Sequence, residues 1–172
     1  MNVIAEKAHI KAFKENMRVY IDASVFGGFF DEEFAETSRL FFDAIFDEGI
    51  IALISDILVA ELVSAPQKVR ELLDRISEIS FERLEYNVEA VNLQRAYLKA
   101  EVLPSKCEGD LLHVAYVTLA RADVIASWNF RHLVNPAKQR AFNGVNLVNG
   151  YGLITVMTPL EVIKILGEND DE

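Results

Sequence analysis

Several short stretches of this chain are apolar at nearly every position: Val19 to Asp22 up to its final carboxylate, Ile50 to Ser55, Val124 to Ser127 and Leu153 to Met157. A strand with one wet face alternates apolar and polar residues, whereas a strand covered on both faces does not. Helical segments lie between these runs. Glu33 to Asp47 spaces Phe34, Leu40, Phe41, Ala44 and Ile45 near the helical period, and Gly49 follows as a stop. Asp56 to Ser64, Pro66 to Ser77, Val88 to Glu101, Asp110 to Arg121 and a last segment from Pro159 also read as helices, and Phe81 to Tyr86 as a further strand. Fully apolar strands separated by helices specify an α/β fold with a mostly parallel sheet buried between helices.

The chain has 172 residues, half of them apolar, which fits one domain with a single well-formed core. Residues 17–166 carry the pattern. Residues 1–16 do not fit it and read as an N-terminal extension, and residues 167–172 form an acidic tail. The longest apolar run, Ile50 to Val63, is interrupted by Asp56 and Glu61 and is too short to span a bilayer. A single cysteine, Cys107, cannot form an internal disulfide, so a cytoplasmic location is expected. Net charge is −10. Taken alone, this argues against a protein that coats nucleic acid non-specifically. The distribution tells more: Val124 to Leu160 contains no Asp or Glu but carries Arg131, Lys138 and Arg140. That segment is a candidate phosphate-approach surface, and an ordinary solvated face explains it equally well.

One residue that fits the pattern poorly is Asp22, a carboxylate ending an apolar strand. An unpaired buried charge is expensive and is normally neutralised, paired or bound to a metal. Capping the segment that begins near Ser24 is the structural explanation, although Ser24 offers the same service. Glu61 is the only polar residue between Asp56 and Ser64. It is expected to lie in a buried helix, where a Glu needs a partner. Asp56 follows Ser55 at a helix start and reads as a cap. Asp110 opens "DLLHVAYVTLA", with His113 one turn later. Sites in open parallel sheets form beyond the carboxyl ends of the strands. Asp22, Glu61, Asp110 and Asn129, which follows "VIAS", can all approach that edge. Three acids from distant segments without adjacent Lys or Arg point to a hard cation such as magnesium or manganese, a cation suited to phosphodiester chemistry. No Cys/His spacing for zinc is present.

The motifs "VYIDASV", "SDILVAEL", "EGDLLHVAYVTLARADVIASWNF" and "GLITVMTP", in this order, resemble a PIN-domain ribonuclease over Arg18 to about Leu166. The resemblance implies a three-layer α/β/α sandwich and a Mg2+- or Mn2+-dependent endoribonuclease acting on single-stranded or looped RNA. Many members are toxins of type II toxin–antitoxin pairs, commonly dimers silenced by a protein antitoxin. It assigns Asp22, Glu61 and Asp110 to the metal-binding acidic cluster. The fourth family acid falls where Ser127-Trp128-Asn129 stands, so Asn129 brings a carbonyl oxygen and no charge. Ser127 stands for the family's hydroxyl, Ser24 would orient a ligand or water, and Arg131 and His132 would contact phosphate. Two alternatives remain: a PIN-fold module that binds RNA or protein with weakened catalysis, and a small-molecule phosphatase. The phosphatase is opposed by the absence of an Asp-x-Asp pair and of a GxxxxGK[ST] loop.

Overall fold

The computed structural model describes residues 16–47, 50–79 and 81–167. The expected N-terminal extension and acidic tail lie outside these residues, apart from Asn16 and Gly167. Five strands, β1 (Arg18–Ile21), β2 (Ile51–Ser55), β3 (Phe81–Leu84), β4 (Val124–Ala126) and β5 (Val156–Met157), form one sheet. Their order is β3-β2-β1-β4-β5 and every pairing is parallel. Eight α-helices occur among the described residues: α1 (Ala23–Gly28), α2 (Ala35–Asp47), α3 (Asp56–Val63), α4 (Gln67–Ser77), α5 (Val88–Lys99), α6 (Glu108–Ala120), α7 (Pro136–Val148) and α8 (Pro159–Gly167). None is long and apolar enough to cross a membrane.

The apolar strands divide their side chains by parity, as a pleat requires. Val19, Ile21, Ala52, Ile54, Val124 and Ala126 enter one core with residues of α1 to α4 and α8. Tyr20, Leu53 and Ile125 enter a second core with α5, α6 and α7. The chain is thus the expected three-layer sandwich, with the sheet parallel throughout. The N-terminal edge of the sheet is fixed by Arg18. Its guanidinium bonds both oxygens of Glu82 on β3, at 2.6 and 2.7 Å through Nη2, and the Ala120 carbonyl at the end of α6.

Two elements depart from the sequence reading. The sequence pattern marks no helix where α7 stands, because only Phe142 and Asn146 of its thirteen residues are buried and no apolar stripe forms. The signal present is the cap: Asn135 accepts from the Ala137 and Lys138 amides, and Pro136 begins the helix. The expected strand Leu153 to Met157 shrinks to β5. At its start and upstream of it, side-chain amides replace a strand partner. Asn143 exchanges two hydrogen bonds with the backbone of Ile154, and Gln139 two with that of Val156.

The second core contains a polar knot. Tyr97 donates to Asn146 Oδ1, and Asn146 donates to Thr118 Oγ1 at 3.3 Å, joining α5, α6 and α7. Burial pushes the Tyr97 phenol up, and pushes that of Tyr20 well above the ordinary tyrosine range. In the unfolded chain both ionise near pH 10. The folded state holds its phenolic protons longer, so stability is complete below about pH 10 and falls as pH rises beyond it. Urea unfolding between pH 9 and 11 should show this loss. Tyr97→Phe should reduce its slope by up to about 1.4 kcal/mol per pH unit, one proton's worth. An unchanged slope would mean that Tyr97 ionises in the folded state.

Candidate active site

The strand order reverses direction across β1 and β4: from β1 the chain moves to β2 and β3, and it later returns to lay β4 on the other side. The segments leaving these two strands diverge and leave a crevice at their carboxyl ends. Asp22 follows β1 and Ser127 follows β4. The Asp22 amide donates to the Ala126 carbonyl at 3.0 Å, which carries the ladder one step past the strand. Asp22 is 6% exposed. Its Oδ2 accepts from Ser127 Oγ at 2.8 Å, from Ser24 Oγ at 2.5 Å and, more weakly, from the Ser24 amide at 3.4 Å. Asp22 is therefore the N-cap of α1, but its short bonds come from two side-chain hydroxyls and not from the helix backbone. All three fall on Oδ2, and Oδ1 accepts none among the described residues.

Glu61 does not occupy a buried helix. On α3 only Leu58 and Leu62 are buried, Val63 is exposed, and the Glu61 side chain is 45% exposed. The helix rides on the rim of the sheet and packs one face, so its apolar composition misleads. Ser55, not Asp56, provides the hydroxyl cap of α3. Asp56 instead accepts from the Arg83 guanidinium at 2.8 and 3.0 Å and from the Tyr86 amide, tying down the end of β3. Glu61 accepts from His113 Nε2 at 3.0 Å. The buried His113 shares a short hydrogen bond through Nδ1 with the Tyr20 hydroxyl, which in turn bonds Ser55 Oγ at 2.7 Å. A polar chain thus runs from Ser55 through the core to the rim. The first turn of α6 also lies against Glu61: a Cβ on Gly109 would stand 3.6 Å from Glu61 Oε1.

Asp110 sits in that first turn. Its Oδ2 is 2.7 Å from His132 Nδ1. A carboxylate only accepts, so Nδ1 carries the proton. The His132 amide donates to Asn129 Oδ1 at 3.0 Å, and the Asn129 amide donates to Ser127 Oγ at 2.9 Å. An unbroken path of hydrogen bonds therefore links Asp110 through His132, Asn129 and Ser127 to Asp22. The Asn129 carbonyl is engaged within its own turn, so its clearest service is to shape the segment after β4. Trp128, between these residues, donates its amide to Ser24 Oγ and its indole N–H to Ser38 Oγ, both at 2.9 Å. It stacks on Phe34 with centroids 4.6 Å apart, and Phe130 beside it is half exposed. Gly28 leaves room for the indole, since a Cβ there would fall 2.8 Å from the ring. Arg131 and Arg140 are exposed, whereas Lys138 donates to the Val102 carbonyl at 2.8 Å.

The structure brings Asp22, Ser24, Ser127, Asn129, His132 and Asp110 into one hydrogen-bonded rim. Glu61 reaches the same rim from α3, by way of His113 and the α6 turn. No Lys or Arg pairs with any of the three carboxylates among the described residues. The donor set is thus hard oxygen with no competing cation, which suits Mg2+ or Mn2+ in kind. Asp22, Glu61 and Asp110 do not form a compact trio: among the described residues, only Cys107, Asp110 and His132 bring three ligand atoms within 4.8 Å of one another. Magnesium is commonly held by one or two carboxylates and several waters, so oxygen ligands need not meet around one point. Tyr20 and His113 belong to the site through hydrogen bonds that the sequence alone does not show. The available signals were a tyrosine two residues before the anomalous aspartate and a histidine three residues after the helix-opening one.

No protein-family model matches the sequence, and no curated protein matches it. Among solved structures, that of VapBC2 from Rickettsia felis, bound to a DNA fragment from their promoter, contains a similar chain. The two share 16% identity with a TM-score of 0.50, over 70% of this chain and 95% of that one. The fold is PIN-like, with a five-stranded parallel sheet between helical layers.

Proposed function

We propose that this protein is a metal-dependent endoribonuclease that hydrolyses phosphodiester bonds in single-stranded RNA, and that it is the toxin of a toxin–antitoxin pair. The observation that carries the reading is the position of Asp22, Glu61 and Asp110 on one rim of the sheet with no Lys or Arg partner among the described residues. The PIN-like fold and its likeness to a chain of VapBC2 support the toxin assignment. Asp22, Glu61 and Asp110 would hold Mg2+ or Mn2+, which when bound supplies an activated water and neutralises charge on the phosphate. Ser24 and Ser127 fix the Asp22 carboxylate and leave Oδ1 for a ligand. His113 and His132 orient Glu61 and Asp110. Arg131 meets a flanking phosphate, and Trp128 with Phe130 offers an aromatic face on which unpaired bases stack.

Calorimetric titration of Mn2+ into the wild type and Asp22→Asn, alongside cleavage of a labelled single-stranded RNA, tests this reading. Saturable binding lost in the variant, with cleavage abolished by chelator, supports it. Binding equal in both proteins would remove Asp22 from the site. The engaged carbonyl of Asn129 favours one rival, a binding module with weakened catalysis. If the wild type does not cleave and Asn129→Asp does, that rival is correct.

A further inference from the structure

Cys107 takes no part in the proposed chemistry, yet its surroundings are specific. It ends the 3-10 turn Ser105–Cys107 and precedes α6, three residues before Asp110. That spacing places both side chains on one face of the helix. His132 arrives from the turn after β4. Cys107 Sγ lies 3.8 Å from His132 Nε2, and Asp110 Oδ2 lies 2.7 Å from His132 Nδ1. One ligand atom from each residue lies within 4.8 Å of the other two. A tetrahedral zinc ion, with bonds near 2.3 Å to sulfur and 2.0 Å to nitrogen or oxygen, needs ligand atoms roughly 3.3–3.6 Å apart. The two contacts run to different ring nitrogens of His132, of which only one can ligate, so the cluster, whose ligand atoms lie within 4.8 Å, closes onto an ion by turning the imidazole and releasing its Nδ1 bond to Asp110. Access is available, because the side chains of His132 and Asp110 are 19% and 27% exposed.

We infer that Cys107, Asp110 and His132 form a second metal site, selective for a thiophilic divalent cation such as Zn2+, and that its occupation withdraws Asp110 from the magnesium-binding rim. A thiolate and a carboxylate balance the charge of the ion, and the imidazole adds a neutral ligand. Thiolate and imidazole favour zinc, whereas the oxygen donors of Asp22 and Glu61 favour magnesium. The two ions share Asp110 and otherwise have different partners. Zinc therefore inhibits by competition for one carboxylate. The inhibitory part of the inference rests on the proposed nuclease activity; the metal site itself does not.

Cobalt substitution separates the two. Co2+ added to the intact protein should give a near-ultraviolet thiolate-to-cobalt charge-transfer band that saturates at one equivalent. The band should be absent in both Cys107→Ala and the closely isosteric Cys107→Ser. Since the chain has one cysteine, no other thiol can produce it. In the cleavage assay at fixed Mg2+, Zn2+ should slow the wild type about tenfold or more and Cys107→Ser less than about twofold. No charge-transfer band in the wild type overturns the site. Rapid alkylation of Cys107 by iodoacetamide without such a band overturns it in favour of an activated thiol. Equal zinc inhibition of wild type and Cys107→Ser overturns the competition at Asp110. A cobalt band in a protein that cleaves no RNA upholds the site and rejects the nuclease.

Discussion

Asp110→Asn lowers RNA cleavage by about 10²–10³ or more, the range for losing one electrostatic contact in a transition state, and leaves the fold intact. The substitution preserves shape and removes one negative charge from the rim. The amide oxygen of the new Asn still accepts from His132 Nδ1, so the path through Asn129 and Ser127 to Asp22 persists. The cost to folding is confined to the helix dipole. A carboxylate in the first turn of a helix contributes about 0.3–1 kcal/mol, which at this chain length corresponds to roughly 1–4 °C in Tm. Gel-resolved cleavage of a labelled RNA and a thermal melt read the two quantities separately. Cleavage at the wild-type rate by a well-folded variant would sink the assignment of Asp110.

Phe42→Ala destabilises the protein by about 3–5 kcal/mol, as expected for truncating a fully buried aromatic ring. Phe42 on α2 is 0% exposed and meets Phe26, Phe29 and Phe41 edge-on at centroid distances of 5.3, 5.7 and 5.7 Å. Three rings set around a fourth cannot collapse into the space it leaves without giving up those contacts. Typical domains are stable by only about 5–15 kcal/mol, so the loss is a large share of the whole. Leu40, two residues away on the same helix, is 53% exposed. Leu40→Ala is the control and should fall within about 0.5 kcal/mol of wild type. Urea denaturation measures both. A Phe42→Ala cost below about 1 kcal/mol would mean that the aromatic cluster repacks.

The sheet was legible because a strand buried on both faces leaves an unmistakable apolar run. α7 was not, since a helix that buries two residues is held by its cap and by the amides of Gln139 and Asn143, none of which shows as periodicity. At the site, Asp22 and Asp110 were legible as charges out of place. Glu61 was noticed for a mistaken reason: α3 is apolar yet lies on the rim, so its carboxylate is half in solvent. The carboxylate partners of the histidines were hidden, because His113 on an apolar helix looks like any core residue and His132 reads as a phosphate contact. Its pairing with Glu61 depends on how α3 and α6 meet, which no local stretch encodes. Cys107 and His132 come together only through the turn after β4.

The bond from Ser127 to Asp22 joins residues 105 positions apart. A ribosome adds residues in order, and β2 reaches β1 long before β4 exists. At about 5–20 residues per second, some 5–20 s separate the emergence of Asp22 from that of Ser127. During that interval Asp22 has one of its two hydroxyl partners, and Asp110 waits for His132. The nascent chain therefore carries the first of the rim's three acids for most of its synthesis without a finished rim around it.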